Sequence, residues 1–306
     1  MQYGYGVDIG GTAVKIGFFA QNGERPAAWE TPAEKNKDAR PLLGQIAGMI
    51  LADMAARGLQ KEAVLGIGVG VPGPVVAGTV CGCDNLGWEK TDVAGILAEY
   101  TGLTVAVGND ANVAALGESR KIGCENMVLI TLGTGVGGGI VLNGKILEGK
   151  TGAAGEIGHF VVNREETALC GCGKRGCAEQ YCSATGVVRL ARSALEKDGG
   201  LSLLHRGEIT CKAVFDAAAA GDGLAQEVLE QVYGYLAELI ANVCILLNPE
   251  KVLLGGGVSK AGQTLLEGVS RHFDRFIYHA SRDVEISLAC LGTDAGAYGA
   301  FCLIKD

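Results

Sequence analysis

Three features that mark other classes of protein are missing from this sequence. It has no arginine-rich stretch and no basic helix, and its formal net charge is −8. Because binding to nucleic-acid phosphates requires clustered Lys and Arg, we expect no nucleic-acid partner. No apolar run reaches the roughly 18 residues that a membrane span needs, and the residues after Met1 lead directly into a predicted strand. We therefore expect no export signal, no membrane partner and a cytoplasmic location.

What is present indicates an α/β protein of about two domains. The 306 residues are 48% hydrophobic, and many of the 49 glycines cluster at strand ends. Strands are predicted at 3–8, 14–19, 64–71, 104–107, 127–131, 138–142, 251–254 and 284–289. Helices are predicted at 41–56, 93–100, 111–119, 185–196, 212–219, 224–247, 262–276 and 295–304. We place the domains at 1–119 and 120–290, with a last helix at about 291–306 that packs back on the first domain.

One glycine-rich segment carries four potential metal ligands, which are His159, Cys170, Cys172 and Cys177. Three thiolates and one imidazole at such spacing are typical of a closed tetrahedral zinc site. Disulfides or unused thiols are the alternatives, but 11 cysteines without an export signal indicate a reducing compartment. We predict structural Zn²⁺, with Cys182 as a replacement ligand if one of the three sulfurs is not used.

The residues between these ligands fit a metal loop. Gly171, Gly173 and Gly176 are expected to have the positive φ angles that a tight loop requires. Three thiolates and a neutral imidazole leave one negative charge in excess on zinc. Lys174 and Arg175 would offset that charge.

Two segments, 7–14 and 130–137, resemble each other and indicate a duplicated architecture. Each is interpreted as a strand, a turn of glycine and hydroxyl residues, and a returning strand. Such a turn directs backbone N–H groups and a threonine hydroxyl to one point, where they can hold an anion. An ordinary hairpin is the alternative for either copy alone, but the pair favours a nucleotide triphosphate. The candidate residues are Asp8, Gly10, Gly11, Thr12 and Lys15 in the first turn and Thr131, Gly133, Thr134 and Gly135 in the second.

The charged residues of the first turn have separate predicted roles. Asp8 would hold Mg²⁺ directly or through water, since this cation prefers hard oxygen ligands. Lys15 would add a positive charge near the phosphates, although a solvated strand lysine is an equal alternative. A third cluster, Gly255, Gly256 and Gly257, follows a predicted strand and would let adenosine lie against the backbone. A tight turn with close helix packing is the alternative for that cluster.

Two familiar phosphate-binding strings lack their required context. Gly133, Gly135 and Gly138 match the dinucleotide-binding pattern, and residues 144–151 match the P-loop pattern. Both motifs must open into a helix, whereas a strand and an Asn143-Gly144 hairpin turn follow the first string. Glycines interrupt the sequence after the second string. We therefore interpret 145–147 as a hairpin arm rather than as part of a P-loop.

Carboxylates near predicted turns are candidates for sugar chemistry. Asp110 follows Asn109 at the start of a helix, where it is either an N-cap or a general base that takes a proton from an alcohol. Glu156 and Glu179 flank the metal loop and could accept hydrogen bonds from sugar hydroxyls, or be solvated. His159 could bind zinc through one ring nitrogen and face a ligand with the other.

At this point the sequence resembles the ROK family of sugar kinases over almost its whole length. Seven motifs match in order: 8–12, 71–75, 85–88, 109–118, 131–139, 155–159 and 170–183. The resemblance implies an actin-like, ribonuclease H-like pair of α/β domains, which is an ATPase fold with an interdomain cleft. It also implies transfer of the ATP γ-phosphoryl group to a hexose, with glucose and its 6-hydroxyl as the first expectation. A homodimer, or a tetramer, is expected from the family.

The resemblance also implies roles for individual residues. Asp110 is similar to the family's catalytic base, and Gly73, Asn85, Asn109, Glu156, His159 and Glu179 are similar to its sugar contacts. The two glycine turns are similar to its phosphate loops, with Gly255 near adenosine. Kinases of N-acetylmannosamine, allose or fructose would share every motif, and a sugar-binding sensor is the non-enzymatic alternative.

Two features depart from the family pattern. Cys81 and Cys83 precede Asn85, where cysteines are not expected, and we interpret them as small buried residues. Family repressors carry a DNA-binding region ahead of the first phosphate loop. Only seven residues precede Asp8 here, so a repressor is not expected.

Overall fold

The computed structural model describes residues 2–197 and 201–305. The strands are β1 Tyr3–Ile9, β2 Ala13–Ala20, β3 Ala27–Pro32, β4 Val64–Val71, β5 Val75–Val76, β6 Thr79–Val80, β7 Thr91–Asp92, β8 Val105–Asn109, β9 Met127–Leu132, β10 Val136–Leu142, β11 Lys145–Ile146, β12 Lys251–Gly255 and β13 Glu285–Leu288. The α-helices are α1 Arg40–Ala56, α2 Val93–Thr101, α3 Asp110–Ile122, α4 Glu179–Cys182, α5 Ala184–Lys197, α6 Cys211–Ala219, α7 Gly223–Leu247, α8 Gln263–Phe273 and α9 Ala295–Lys305.

The chain forms two compact units. Unit 1 contains Met1–Glu125, Gly139–Gly155 and Leu291–Asp306, and unit 2 contains Asn126–Gly138 and Glu156–Cys290. These units differ from simple consecutive halves because the chain crosses between them more than twice. The mixed α/β composition confirms the predicted fold class.

A five-stranded sheet with the order β3-β2-β1-β4-β8 forms the centre of unit 1. β1 pairs with β2 in antiparallel register, and β4 is parallel to both β1 and β8. Strands buried on both faces need continuous apolar runs, and β4 supplies one in Val-Leu-Gly-Ile-Gly-Val-Gly-Val. Helix α9 packs against β1 and β4, where Gly6 and Gly68 leave room for its backbone.

The second five-stranded sheet has the matching order β11-β10-β9-β12-β13. β12 is parallel to both β9 and β13. In each sheet, a glycine turn joins two neighbouring strands, β1 to β2 in the first sheet and β9 to β10 in the second. The next strands in the order, β4 and β8 or β12 and β13, are parallel to the first strand of that pair. This repetition is the architecture that the two similar sequence segments predict.

The structure after Gly135 shows whether a helix or a hairpin follows the two phosphate-binding strings. β10 continues from Val136 to Leu142 without a helix, and β11 pairs with it in antiparallel register. The segment after Thr151 likewise forms turns before a short 3-10 helix at Ile157–His159. The hairpin interpretation of 145–147 is therefore confirmed, and neither string has the helix that its chemistry needs.

Helix α7 is the one described helix whose length and composition would let it cross a membrane. Within unit 2, 61% of its most apolar window is buried against other elements. Its buried face includes Val232, Leu236, Ile240 and Val243, which recur at the helical spacing of a core-facing stripe. Burial in a protein core accounts for the apolar character of this helix.

Candidate functional site

The first glycine turn of unit 1 begins directly after the strand that carries Asp8. The Gly10 N–H donates to the Ala13 carbonyl oxygen at 2.9 Å, which closes the turn between β1 and β2. Lys15 lies opposite Asp8 in the antiparallel register. Its Nζ donates to the Thr293 carbonyl oxygen at 3.3 Å, so this lysine contacts the segment before α9 as well as the turn.

Asp8 and Asp110 form a pair of partly buried carboxylates in unit 1. Burial and the negative charge of Asp110 raise the pKa of Asp8 to about 6, and Lys15 works in the opposite direction. Two carboxylates that repel each other at one point are stabilised by a divalent cation, which prefers oxygen ligands. These oxygen donors fit Mg²⁺.

The structure shows which of Asn109 and Asp110 is the N-cap of α3. Asn109 is the N-cap of α3, because its Oδ1 accepts the Asn112 N–H at 3.2 Å. Asp110 is the first helical residue and accepts the Ala111 N–H at 2.9 Å. Burial raises the pKa of Asp110, outweighing the hydrogen bonds from Ala111 and Asn109. The helix N-terminus alone predicts a weakly basic carboxylate, whereas burial strengthens it as a base.

Three of the predicted sugar contacts, Gly73, Asn85 and Asn109, lie in unit 1. The Asn109 Nδ2 donates to the Gly73 carbonyl oxygen at 3.1 Å. Gly73 has a φ of +94°, and a Cβ there would overlap the Gly82 backbone, so only glycine fits. The Cβ of Asn85 lies 3.5 Å from the position of a Cβ on Gly11, which brings this amide beside the first turn.

The cysteines before Asn85 differ in exposure. Cys83 is buried and its N–H donates to the Trp88 carbonyl oxygen at 2.8 Å, as a small structural residue would. Cys81 is exposed, so the expectation that both are buried is wrong for it. Gly82, between the two cysteines, has a φ of +148°, so the chain does not continue as a regular strand in which residues 81 and 83 would share a face.

The second glycine turn lies in unit 2, between β9 and β10. The Gly133 N–H donates to the Gly135 carbonyl oxygen at 2.9 Å. Two contacts hold the turn from α4 and α5: Glu179 Oε2 accepts the Val136 N–H at 3.0 Å, and Thr185 Oγ1 donates to the Thr134 carbonyl oxygen at 2.7 Å. Gly135 must lack a side chain, because a Cβ there would overlap the Glu179 carboxylate.

The four predicted metal ligands converge in unit 2. One ligand atom from each of His159, Cys170, Cys172 and Cys177 lies within 4.8 Å of every other. Cys172 Sγ is 3.6 Å from Cys177 Sγ, and Cys170 Sγ is 3.8 Å from His159 Nδ1. Sulfurs bound tetrahedrally at about 2.3 Å from zinc stand roughly 3.8 Å apart, so the donor set fits a zinc ion.

The loop around these ligands agrees in part with its predicted conformation. Gly173 and Gly176 have φ angles of +83° and +75°, whereas Gly171 is not in the left-handed region, so that expectation is wrong. The Cys170-Gly173 turn, closed by a hydrogen bond of 2.9 Å, needs its positive φ only at its last residue. Lys174 Nζ donates to the His159 carbonyl oxygen at 3.1 Å.

Glu156, His159 and Glu179 lie together beside the metal cluster. His159 Nδ1 faces Cys170, while its Nε2 is 3.9 Å from Glu156 Oε2. Glu179 Oε1 is 3.7 Å from Cys170 Sγ. The two ring nitrogens of His159 therefore face different side chains, and the predicted contacts of this residue with zinc and with a sugar remain predictions.

The third glycine cluster adjoins the second turn. Gly255 pairs with Thr131 in the parallel register of β12 and β9. Gly256 has a φ of +84°, and a Cβ there would overlap the Leu132 backbone. A close-packed turn is thus present, and it lies directly beside the end of β9.

Unit 2 contains a cavity that was not predicted from the sequence. Its volume is about 720 Å³. It is lined by Thr134, Ala184, Thr185, Val188, Arg189, Arg192, Ser193, Glu196, Ile209, Thr210 and Cys211. The signal in the sequence was the spacing of Arg189 and Arg192, which puts both on one face of a helix.

Comparisons with known proteins cover nearly the full chain. The ROK family model matches residues 4–306. A glucokinase of Halalkalibacterium halodurans is 44% identical over 98% of this chain and 94% of its own. A crystal structure of a ROK family glucokinase from Streptomyces griseus, in complex with glucose and AMPPNP, is 31% identical with a TM-score of 0.75 and 98% coverage of both chains. A ROK hexokinase from Thermus thermophilus is 28% identical with a TM-score of 0.84, covering 99% of this chain and 97% of that one.

Proposed function

The chain belongs to the ROK family, and from this premise we propose that it is a glucokinase that transfers the γ-phosphoryl group of ATP to the 6-hydroxyl of glucose. The observation that carries the proposal is the 44% identity, over 98% of the chain, to a protein named as a glucokinase. The AMPPNP and glucose complex of the Streptomyces griseus protein supports ATP and a hexose as the two ligands.

Asp110 is the proposed catalytic base. Its burial raises its pKa, and a carboxylate with a raised pKa takes a proton more readily from an alcohol. Asn109, capping α3 and bonded to the Gly73 carbonyl, keeps the start of the helix in place. Phosphoryl transfer has a loose transition state, so orienting the hydroxyl matters more than the strength of the base.

The two glycine turns are the proposed phosphate sites. Asp8 would hold Mg²⁺, which neutralises charge on the phosphates when bound. Gly10, Gly11 and Thr12 offer backbone N–H groups and a hydroxyl in unit 1. Thr131, Gly133, Thr134 and Gly135 offer the same groups in unit 2, where Glu179 fixes the turn. We propose Lys15 as a further positive charge near the phosphates.

The adenosine is proposed to occupy the 720 Å³ cavity and the adjoining glycines. Thr134 lies both in the second phosphate turn and in the cavity wall, so phosphates held at the turn would leave the nucleoside in the cavity. Helix α6, which begins at Cys211, contacts the 3-10 turn Val258–Ala261 that follows Gly255, Gly256 and Gly257.

Zinc is proposed as a structural ion for the sugar-binding side chains. His159, Cys170, Cys172 and Cys177 would hold it, and its role is to fix the backbone that carries Glu156 and Glu179. A site whose buried polar groups pair with sugar hydroxyls can discriminate by about 10⁴ against a sugar that lacks one of them. Specificity should therefore depend on Asn85, Glu156, His159 and Glu179.

Coupled measurement of ADP release across a set of hexoses tests the function. We expect the highest kcat/KM with glucose. A higher value with N-acetylmannosamine, allose or fructose would reassign the substrate within the family. Binding of sugar without any ADP release, in zinc-loaded protein with Mg²⁺, would identify a sensor and overturn the proposal.

We also propose a cytoplasmic homodimer, with a tetramer as the alternative, that has no nucleic-acid or membrane partner. The net charge of −8 supports the absence of a nucleic-acid partner, and the 61% burial of the most apolar window of α7 supports the absence of a membrane partner, whereas the homodimer rests on the resemblance to the family. Light scattering after size exclusion tests the oligomeric state. The domain boundaries at 119 and 290 remain a proposal that limited proteolysis can test.

A further inference from the structure

Glu166 is a nearly buried carboxylate outside the set of residues assigned above. Its Oε1 accepts the backbone N–H groups of Thr167 and Ala168, each at 2.9 Å. Its Oε2 accepts the Tyr181 hydroxyl at 2.6 Å and lies 3.0 Å from Arg189 Nη2. The side chain is 11% exposed, so this one carboxylate is fully engaged by four donors.

The loop that Glu166 holds leads directly to the metal ligands. The Ala168 carbonyl oxygen accepts from Gln180 Nε2 at 3.1 Å, and Gln180 Oε1 accepts the Cys177 N–H at 3.1 Å. Arg175 Nε donates to the Thr167 carbonyl oxygen at 3.0 Å. The two residues whose N–H groups bind Glu166 are therefore also tied to the segment that carries Cys177.

Arg189 connects the same carboxylate to the cavity. Its Nε and Nη2 donate to the Gln180 carbonyl oxygen at 3.3 and 3.0 Å, and its guanidinium lies 5.1 Å from the centre of the Tyr181 ring. Nη1 makes no hydrogen bond to any residue that the structure describes. Because the side chain lines the cavity and is 37% exposed, Arg189 is accessible to a ligand there.

We propose that Glu166 is a positioning residue that joins the metal loop to the nucleotide cavity. With one oxygen it holds the loop that leads to Cys170, and with the other it holds Arg189 in the wall of the cavity. The guanidinium then presents its free edge to the anionic or hydroxyl groups of a nucleoside phosphate. This inference rests on the proposed function, because it takes the cavity to be the nucleotide site.

Glu166 limits the conformational freedom of the Arg189 side chain. An unpaired arginine on an exposed helix face samples many rotamers, and a ligand must then restrict them on binding. Glu166, the Gln180 carbonyl and the Tyr181 ring together restrict the guanidinium before any ligand arrives. Pre-organisation of this kind raises affinity without adding a contact.

Equilibrium binding of AMPPNP and the rate of zinc release to a coloured chelator test the proposal on zinc-loaded protein. Glu166→Gln keeps the volume and removes the charge, and we expect AMPPNP to bind about tenfold more weakly, the scale of one charge-assisted hydrogen bond. We also expect zinc release to be about tenfold faster, for the same reason. Glu165→Gln is the matched control, since Glu165 is an exposed neighbour, and it should change neither quantity.

Arg189→Gln separates the two halves of the proposal. It should weaken AMPPNP binding by about as much as Glu166→Gln, while zinc release changes less than about twofold, because the loop keeps its other bonds to Glu166. The double variant should bind AMPPNP no more weakly than Arg189→Gln alone. Fully additive losses in the double variant would overturn the proposal.

A purely structural role gives a different pattern. It lowers Tm and the fraction of folded protein but leaves the AMPPNP affinity of the folded fraction unchanged, and this result too would overturn the proposal. If Glu166→Gln does not fold, Arg189→Gln with unchanged AMPPNP affinity is sufficient to refute it. Failure of the proposed function would appear instead as no hexose-dependent ADP release by the unaltered protein. The AMPPNP-binding and zinc-release measurements do not depend on that activity, so the two failures can be told apart.

Discussion

Replacing Asp8 with Asn is expected to stabilise the folded protein while impairing its function. Burial, together with the charge of Asp110, raises the pKa of Asp8 from 3.8 to about 6. The folded state therefore binds a proton more tightly than the unfolded state does. Between those two pH values stability falls as pH rises, and above pH 6 the full penalty applies.

The size of this penalty follows from the shift. Each pKa unit corresponds to about 1.4 kcal/mol, so a shift of this size costs about 3 kcal/mol above pH 6. Asn is nearly isosteric and carries no charge, so Asp8→Asn should recover most of that amount. For a unit of this size the gain corresponds to a rise in Tm of roughly 6–12 °C at pH 8.

Thermal unfolding followed by circular dichroism, without added magnesium, measures the effect. The Tm difference between Asp8→Asn and the unaltered protein should be largest near pH 8, should shrink as pH falls through about 6, and should vanish below about pH 3, where Asp8 is protonated in both states. Asp283→Asn, at an exposed position in unit 2, serves as the control and should show no such pH dependence. An Asp8→Asn protein that is no more stable at pH 8, or whose full advantage persists below about pH 3, would refute the reasoning. The same variant should lose kcat, because the proposed Mg²⁺ ligand is gone.

Three further predictions concern activity and metal binding. Asp110→Asn should lower kcat by about 10²–10⁴, measured by coupled ADP release, and an undiminished kcat would exclude Asp110 as the base. Cys172→Ser should release zinc, measured by elemental analysis, and raise the KM for glucose more than the KM for ATP; equal increases would contradict the division between metal loop and nucleotide site. Lys150→Ala should leave kcat within about twofold, because surface substitutions away from a site have small effects, whereas a P-loop lysine would be essential.

Much of the fold was predictable because the signals are local. Asn143-Gly144 demands positive φ angles, and Asn143 does adopt a φ of +50°. The parallel strands were evident from their continuous apolar runs. The strand β3 was missed because most of its side chains are only partly buried, and the small β5-β6-β7 sheet was missed because strands of two residues are too short to show a period.

The candidate site was predictable to a different extent at each position. Residues of the metal cluster were evident from ligand types and spacing, and they do converge. Glu166 and Arg189 were not found, because an isolated glutamate in a polar loop is usually solvated and nothing local links it to a helix more than twenty residues away. Family membership and the sugar-kinase interpretation are confirmed by the comparisons, while the roles of individual residues remain proposals.

The sequence by itself determined the α/β class, the two glycine turns, the four candidate metal ligands and the family, because each depends on residue types at short spacing. Only the tertiary structure decided that burial, together with the charge of Asp110, raises the pKa of Asp8, since Asp8 and Asp110 lie about a hundred residues apart in the chain. It likewise decided that Asn109 rather than Asp110 caps α3, and that Glu166 joins the metal loop to the cavity wall. The physical reason is that burial and charge proximity, which set the chemistry of a carboxylate, are properties of packing and not of sequence neighbours.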